Sequence, residues 1–309
     1  MSWVGLGRTV LDRYILVKPL GRGGVSLVYE AVDLDQMRPV AVKMLAPAFA
    51  RNPRTCQAAR LEPLIMPRLR HPSVPKVYGF GEARLGVADL GINADLARGD
   101  LEAALDLALG AKLDASLNAS LGADLDLWRR ATRGWDGAVA MPCIAMELLN
   151  GVSLARRLAT GPLPWRGAVE IAAMVAEMLA VAHRRGIAHR DLTPLNVMLT
   201  TDGVKIIDFG LAALIGAPAA HRETSQDVYA LGVLLYQMLT GRSPYPAVAH
   251  DPAFASARLT RPAPTPVLAG LGVPRAVADL CRHCMAKRPA DRPDSSDAAI
   301  ALWSALMRH

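Results

Sequence analysis

The sequence has no run of five or more Lys/Arg, although its 35 basic residues outnumber 28 acidic ones and leave a net charge of +7. The excess is scattered arginine. Without a basic block, nucleic acid is not the expected partner. Cysteine is scarce as well. Cys56, Cys143, Cys281 and Cys284 are too few for a disulfide scaffold in a chain of 309 residues, so a reducing cytoplasm is the expected setting. Cys281-Arg-His-Cys284 is a single CxxC with no second pair to close a zinc site, and it reads as two small apolar residues along a C-terminal helix. The charged-then-apolar opening of a secretory signal is missing, and residues 1–11 read as a short leader. Long apolar runs are missing too. The most apolar segments, Ile171–Ala182 and Val228–Leu239, are short and carry Glu177 or Gln237, which suits buried helices and not membrane spans. With 52% apolar and 20% charged residues, the chain reads as soluble and globular, long enough for two lobes or one large cored domain.

What is present is organised around His189-Arg190-Asp191-Leu192-Thr193-Pro194-Leu195-Asn196, followed by Asp208-Phe209-Gly210. Two carboxylates and an amide at this spacing suit holding a metal and orienting a hydroxyl. A helix over Trp165–Arg185, apolar at Ile171, Val175, Met178, Leu179 and Ala182 and stopped near Gly186, delivers the chain into this stretch. Val204–Ile207 is a short strand leading to Asp208. Upstream, the strand Tyr14–Val17 runs into Gly21-Arg22-Gly23-Gly24-Val25-Ser26, whose glycines let backbone amides approach phosphate oxygens. Val40-Ala41-Val42-Lys43 then ends an apolar strand on a lysine.

These stretches, in this order, resemble the eukaryotic-type (Hanks-type) protein kinases, and most nearly those of bacteria that act on Ser and Thr. The resemblance spans residues 12–306 apart from one insertion. It implies an α+β, bilobal fold with a small antiparallel-sheet N-lobe (12–149) and a mainly helical C-lobe (150–309). It implies ATP and Mg2+ as cofactors and a protein Ser/Thr hydroxyl as acceptor. Asp191 would orient that hydroxyl and take its proton, with Arg190 and Thr193 beside it in the catalytic loop, while Asn196 and Asp208 would hold Mg2+. Lys43, paired with Glu62, would neutralise the phosphates. Gly21, Gly23, Gly24, Val28, Ala41, Met146 and Met198 would line the nucleotide, and Glu147 and Leu149 would offer backbone groups to the adenine edge. Asp227, at the start of an apolar helix, would brace the catalytic-loop backbone.

The departures are as informative. Ser26 stands where the family has its third glycine. Pro63 and Pro67 lie inside the helix that should carry Glu62, so a kinked or broken helix is expected there. Residues 82–141 are an Ala/Leu/Asp-rich insertion in which leucine recurs every fourth position from Leu101 to Leu125, with Gly99, Gly110 and Gly122 interrupting any single helix. Residues 84–138 are expected either to dock a protein partner or a second copy, or to be a tolerated surface loop. Thr193 replaces a lysine that would meet the γ-phosphate. Only residues 211–226 separate Gly210 from Asp227; Gly216-Ala217-Pro218 is the remnant of a substrate loop, and no Ala-Pro-Glu follows. Arg292 therefore needs another partner, for which Glu223 is the candidate. No Ser, Thr or Tyr lies between Gly210 and Glu223, which removes the usual phosphorylation switch against Arg190. A pseudokinase or scaffold acting through the insertion is the alternative reading.

Overall fold

Side chains alternate between core and surface from Ser26 to Asp33, the period-2 signature of a sheet with one covered face. A computed structural model describes residues 6–22, 26–46, 53–86, 138–209, 213–214, 220–245, 268 and 270–308. These fall into two compact units, one within 1–64 and 76–148, the other within 65–75 and 149–309.

The first unit is built on an antiparallel sheet of six strands: β1 (Thr9–Val10), β2 (Tyr14–Arg22), β3 (Ser26–Asp33), β4 (Arg38–Leu45), β5 (Val77–Gly86) and β6 (Ala138–Met146), in the order β1-β2-β3-β4-β6-β5. Its core is Tyr14, Leu16, Leu27, Tyr29, Val40, Val42, Met44 and Met141, all but sealed from solvent. Each such side chain contributes about 1.5–3 kcal/mol by leaving water. The helix α1 (Pro53–Ile65) belongs to the same unit up to Leu64. Arg13 clamps Asp33 with two hydrogen bonds of 2.6 and 2.8 Å, tying the start of β2 to the end of β3.

Three expectations are corrected here. The sheet starts before Asp12, because Thr9 and Val10 pair with Ile15 and Tyr14. The insertion does not begin at Glu82: residues 82–86 pair with 138–142 as one continuous hairpin ladder, Gly86 opposite Ala138. Residues 87–137, with the whole leucine ladder, lie outside the described residues. The lobe boundary is also less simple than a cut at 149, since residues 65–75 group with the second unit.

The second unit adds α2 (Leu154–Leu158), α3 (Trp165–Arg184), α4 (Ala220–Thr240), α5 (Arg275–Cys284) and α6 (Ser295–Arg308), with the small antiparallel pairings β7 (Gly151–Ser153), β8 (Ile187–Ala188), β9 (Val197–Thr200), β10 (Gly203–Ile206) and β11 (Ala213–Leu214). Ser153 caps α2, its hydroxyl accepting from the Arg156 amide. α3 buries Ala168, Val169, Ala172, Ala173, Val175, Ala176, Met178 and Leu179. So many alanines let α4 and α6 approach it closely. Glu177 is on its outer side and accepts from the Trp303 indole of α6 at 2.9 Å. Gly186, at φ 68°, ends the helix in the left-handed region, as its position suggests.

α4 begins at Ala220, a full turn and more before the expected Asp227, because its first turns carry polar residues and no apolar stripe announces them. Cys281 and Cys284 are buried against α4, the Cys281 thiol donating to the Gly232 carbonyl at 3.5 Å. A Cβ on Gly232 would stand 2.7 Å from Cys284 Cβ and 2.8 Å from Met285 Cγ. Gly232→Ala should gain about 1 kcal/mol of helix propensity and lose about 1–3 kcal/mol to overpacking. The expected net result is a lower urea midpoint; an unchanged or higher one would show that α5 yields freely.

Candidate functional site

In the first unit the chemistry gathers on three neighbouring strands. Lys43 of β4 lies opposite Val28 of β3 and Ile144 of β6, and Ala41 lies opposite Met146. Lys43 Nζ is 2.7 and 2.9 Å from the two carboxylate oxygens of Glu62. Both side chains are largely buried, at 14% and 4% exposure, so each needs the other's charge. A kinked or broken helix is expected at Glu62; α1 is continuous through that residue. Pro63 removes its own amide and crowds the residues before it, Glu62 included, yet Glu62 stays within the helix. α1 runs on to Ile65 and then tightens into a 3-10 turn, Met66–Leu69, which contains Pro67. The Glu147 amide is committed to the Lys76 carbonyl at 2.8 Å, so its contribution to an adenine edge would be the carbonyl. Gly21 lies on β2; Gly23 and Gly24 are outside the described residues.

The second unit holds the catalytic loop. β8 delivers His189, fully buried, whose ring meets that of Phe209 at 4.7 Å between centroids. The Asp191 amide donates to His189 Nδ1 at 3.2 Å, and Nε2–H donates to the Ile207 carbonyl at 3.3 Å. That pair of bonds requires the neutral ring. Burial pushes the His189 imidazole below its ordinary range. Asn196 donates both amide hydrogens to Asp191, one to the backbone oxygen at 2.8 Å and one to Oδ2 at 2.9 Å. Its side-chain oxygen is then the atom left for a cation. Asp208 follows β10, with φ 66°. A carboxylate and an amide oxygen are hard donors of the kind Mg2+ prefers, so Asn196 and Asp208 fit that ion. The Thr193 carbonyl accepts the Asn196 amide, closing the turn between base and metal positions. Met198 is on β9, and Leu149 precedes β7.

Asp227, one of the most deeply buried carboxylates, organises this loop from behind. It accepts the amides of His189 and Arg190, each at 2.8 Å, and contacts His183 Nε2 at 2.9 Å. Arg190 is left-handed at φ 67°, a conformation that a side chain other than glycine adopts only when held. His183 continues the chain of bonds to the Ser295 hydroxyl of α6 at 2.9 Å. Nothing in the sequence singles His183 out.

Glu223 does not serve Arg292. It pairs with Arg190, Nε to Oε2, at 2.9 Å. Arg292 donates instead to the carbonyls of Ala286 and Ser225, each at 2.8 Å, and lies over the Tyr229 ring. Glu223 stands one helical turn before Asp227, a spacing that puts both carboxylates on the same face and that could have signalled the pairing.

Burial also pushes the His71 imidazole down, while the Cys143 and Cys284 thiols are pushed up to about 12. All four cysteines are buried and none is in a disulfide, and such thiols are inert. For His71 and His189 the folded value lies below the unfolded one. As pH falls below about 6.5 the unfolded chain binds protons that the folded chain refuses, so stability declines in that window and is restored above it. Urea midpoints at pH 7.5 and 5.5 should show this, with a smaller difference in His71→Gln. An equal difference in both proteins would remove His71 from the account.

Among the described residues no helix is long and apolar enough to cross a membrane. Comparison with known proteins places these features in context. Residues 139–222 match the model of the protein kinase domain, and 218–302 match that of the protein tyrosine and serine/threonine kinases. The serine/threonine-protein kinase PknB of Mycobacterium leprae is 30% identical over 258 residues, which cover 76% of this chain but 33% of that protein. PknL of Mycobacterium tuberculosis is 28% identical over 313 residues, covering 93% of this chain and 64% of its own length. The chain thus spans about a third of the length of PknB. The crystal structure of the Mycobacterium tuberculosis PknI kinase domain superposes with a TM-score of 0.62 at 23% identity, covering 99% of this chain and all of that one.

Proposed function

Because the chain belongs to the protein kinase family, among the bacterial serine/threonine type, we propose that it transfers the γ-phosphate of ATP to a Ser or Thr hydroxyl of a protein. The observation that carries this reading is the Asp191 carboxylate. It is oriented by the Asn196 amide, in a loop whose unfavourable backbone is held by Asp227. Asp191 accepts the acceptor's proton as its oxygen bonds to the γ-phosphorus and the bond to the β-bridging oxygen breaks, leaving ADP. Lys43, held by Glu62, neutralises phosphate charge. Asn196 and Asp208 would take Mg2+, which when bound supplies further neutralisation of the β- and γ-phosphates. Buried cysteines outside any disulfide suit a reducing cytoplasm.

A scaffold that keeps the fold without transfer is the second reading. Thr193 lacks the charge that a lysine would bring to the γ-phosphate, and among the described residues Arg292 has no carboxylate partner. Radiolabelled ATP with casein as acceptor separates the two. Label incorporated by the wild type and lost in Asp191→Ala supports transfer; equal incorporation in both leaves the scaffold.

A further inference from the structure

We infer that Glu223 is a positioning residue for the catalytic loop: a permanent counter-charge to Arg190 that makes transfer independent of phosphorylation in the segment after Gly210. This deepens the kinase reading and rests on it. Where kinases switch by phosphorylation, an added phosphate supplies negative charge to an arginine cluster and orders the loop. Here residues 211–222 contain no hydroxyl side chain to modify. The negative charge comes instead from the first turn of α4, where a carboxylate is also favoured by the helix dipole. Glu223 binds the Arg190 guanidinium at 2.9 Å, and Asp227, one turn later on the same helix, binds the Arg190 amide at 2.8 Å. One rigid helix therefore grips the left-handed residue next to Asp191 at both its side chain and its main chain.

The pair is accessible enough to be a device and not a buried necessity, with side chains 37% and 21% exposed. Arg292, satisfied by carbonyl oxygens, does not compete for Glu223. No other described acidic group forms an ion pair with Arg190.

Steady-state transfer to casein tests this with wild type, Glu223→Gln, Glu223→Asp, Arg190→Gln and the double Arg190→Gln/Glu223→Gln. Glu223→Gln should lower kcat about tenfold, the size of one lost charge-assisted hydrogen bond, with KM for ATP unchanged. Glu223→Asp should keep most of the rate. Arg190→Gln should match Glu223→Gln, and the double should fall no further. Wild type treated with phosphatase should keep its kcat. Wild-type kcat in Glu223→Gln, additive losses in the double, or inactivation by phosphatase would each overturn the inference while leaving the kinase reading intact. A wild type without Asp191-dependent transfer overturns both.

Discussion

Asp191→Ala should lower kcat for phosphoryl transfer by about 10²–10⁴-fold, the usual span for losing a positioned base. ATP affinity should be nearly unchanged. The asymmetry follows from what Asp191 touches. Its carboxylate is held by Asn196 and its amide by His189, within the loop, whereas the nucleotide's charge is assigned to Lys43 and to the metal positions. A variant that lost ATP binding and rate together would place Asp191 in ground-state binding and refute the base assignment. Asn196 needs care in the same experiment. With Asp191 gone, its amide loses one of two acceptors, so Asp191→Asn, of equal volume, should be run beside it. Loss of rate in both would tie the effect to the charge and proton affinity of the carboxylate and not to a collapsed loop. ATP binding can be followed by calorimetry on the full chain.

Asp227→Ala should be the most destabilising single change at the site, by about 3–5 kcal/mol, because it strips the acceptor from groups that have no other. Two main-chain amides and the His183 ring converge on this one carboxylate, which is 1% exposed. The left-handed Arg190 would lose its main-chain restraint at the same moment. Urea unfolding of the wild type, Asp227→Ala and Asp227→Asn checks this. Asn can still accept at one oxygen and should recover part of the loss. A fall below about 1 kcal/mol in Asp227→Ala would mean that water replaces the carboxylate, and that the loop holds its shape by itself.

The motifs legible in the sequence are those in which fixed spacing and chemistry coincide. Asp191, Asn196 and Asp208 stand at spacings whose resemblance to the family implies metal-assisted transfer, and the same resemblance implies a bracing role for Asp227 at the start of its apolar pattern. Lys43 and Glu62 were legible as positions, but a proline's local cost, one lost amide bond and crowding of the residues before it, does not decide where α1 ends. For the partner of Glu223 the sequence offers one signal, its place one helical turn before Asp227. Arg190 is the nearer of the two arginines in sequence, 33 residues away, but sequence distance does not decide a tertiary pairing, and it is the placement of α4 that sets Glu223 against Arg190. His183 was invisible for a similar reason, since its partners Asp227 and Ser295 come from two later helices.

The hairpin of β5 and β6 has a topological consequence. Because Gly86 faces Ala138 across a paired ladder, the chain leaves the sheet and returns to it within one interstrand step, about 5 Å. Residues 87–137 are thus inserted at a single gate, like a bead threaded on a clasp. In polymer terms, doubling the number of residues between fixed ends so close together costs only about 0.6 kcal/mol. A change in the length of what lies between these ends therefore costs little to the sheet whose strand β4 carries Lys43.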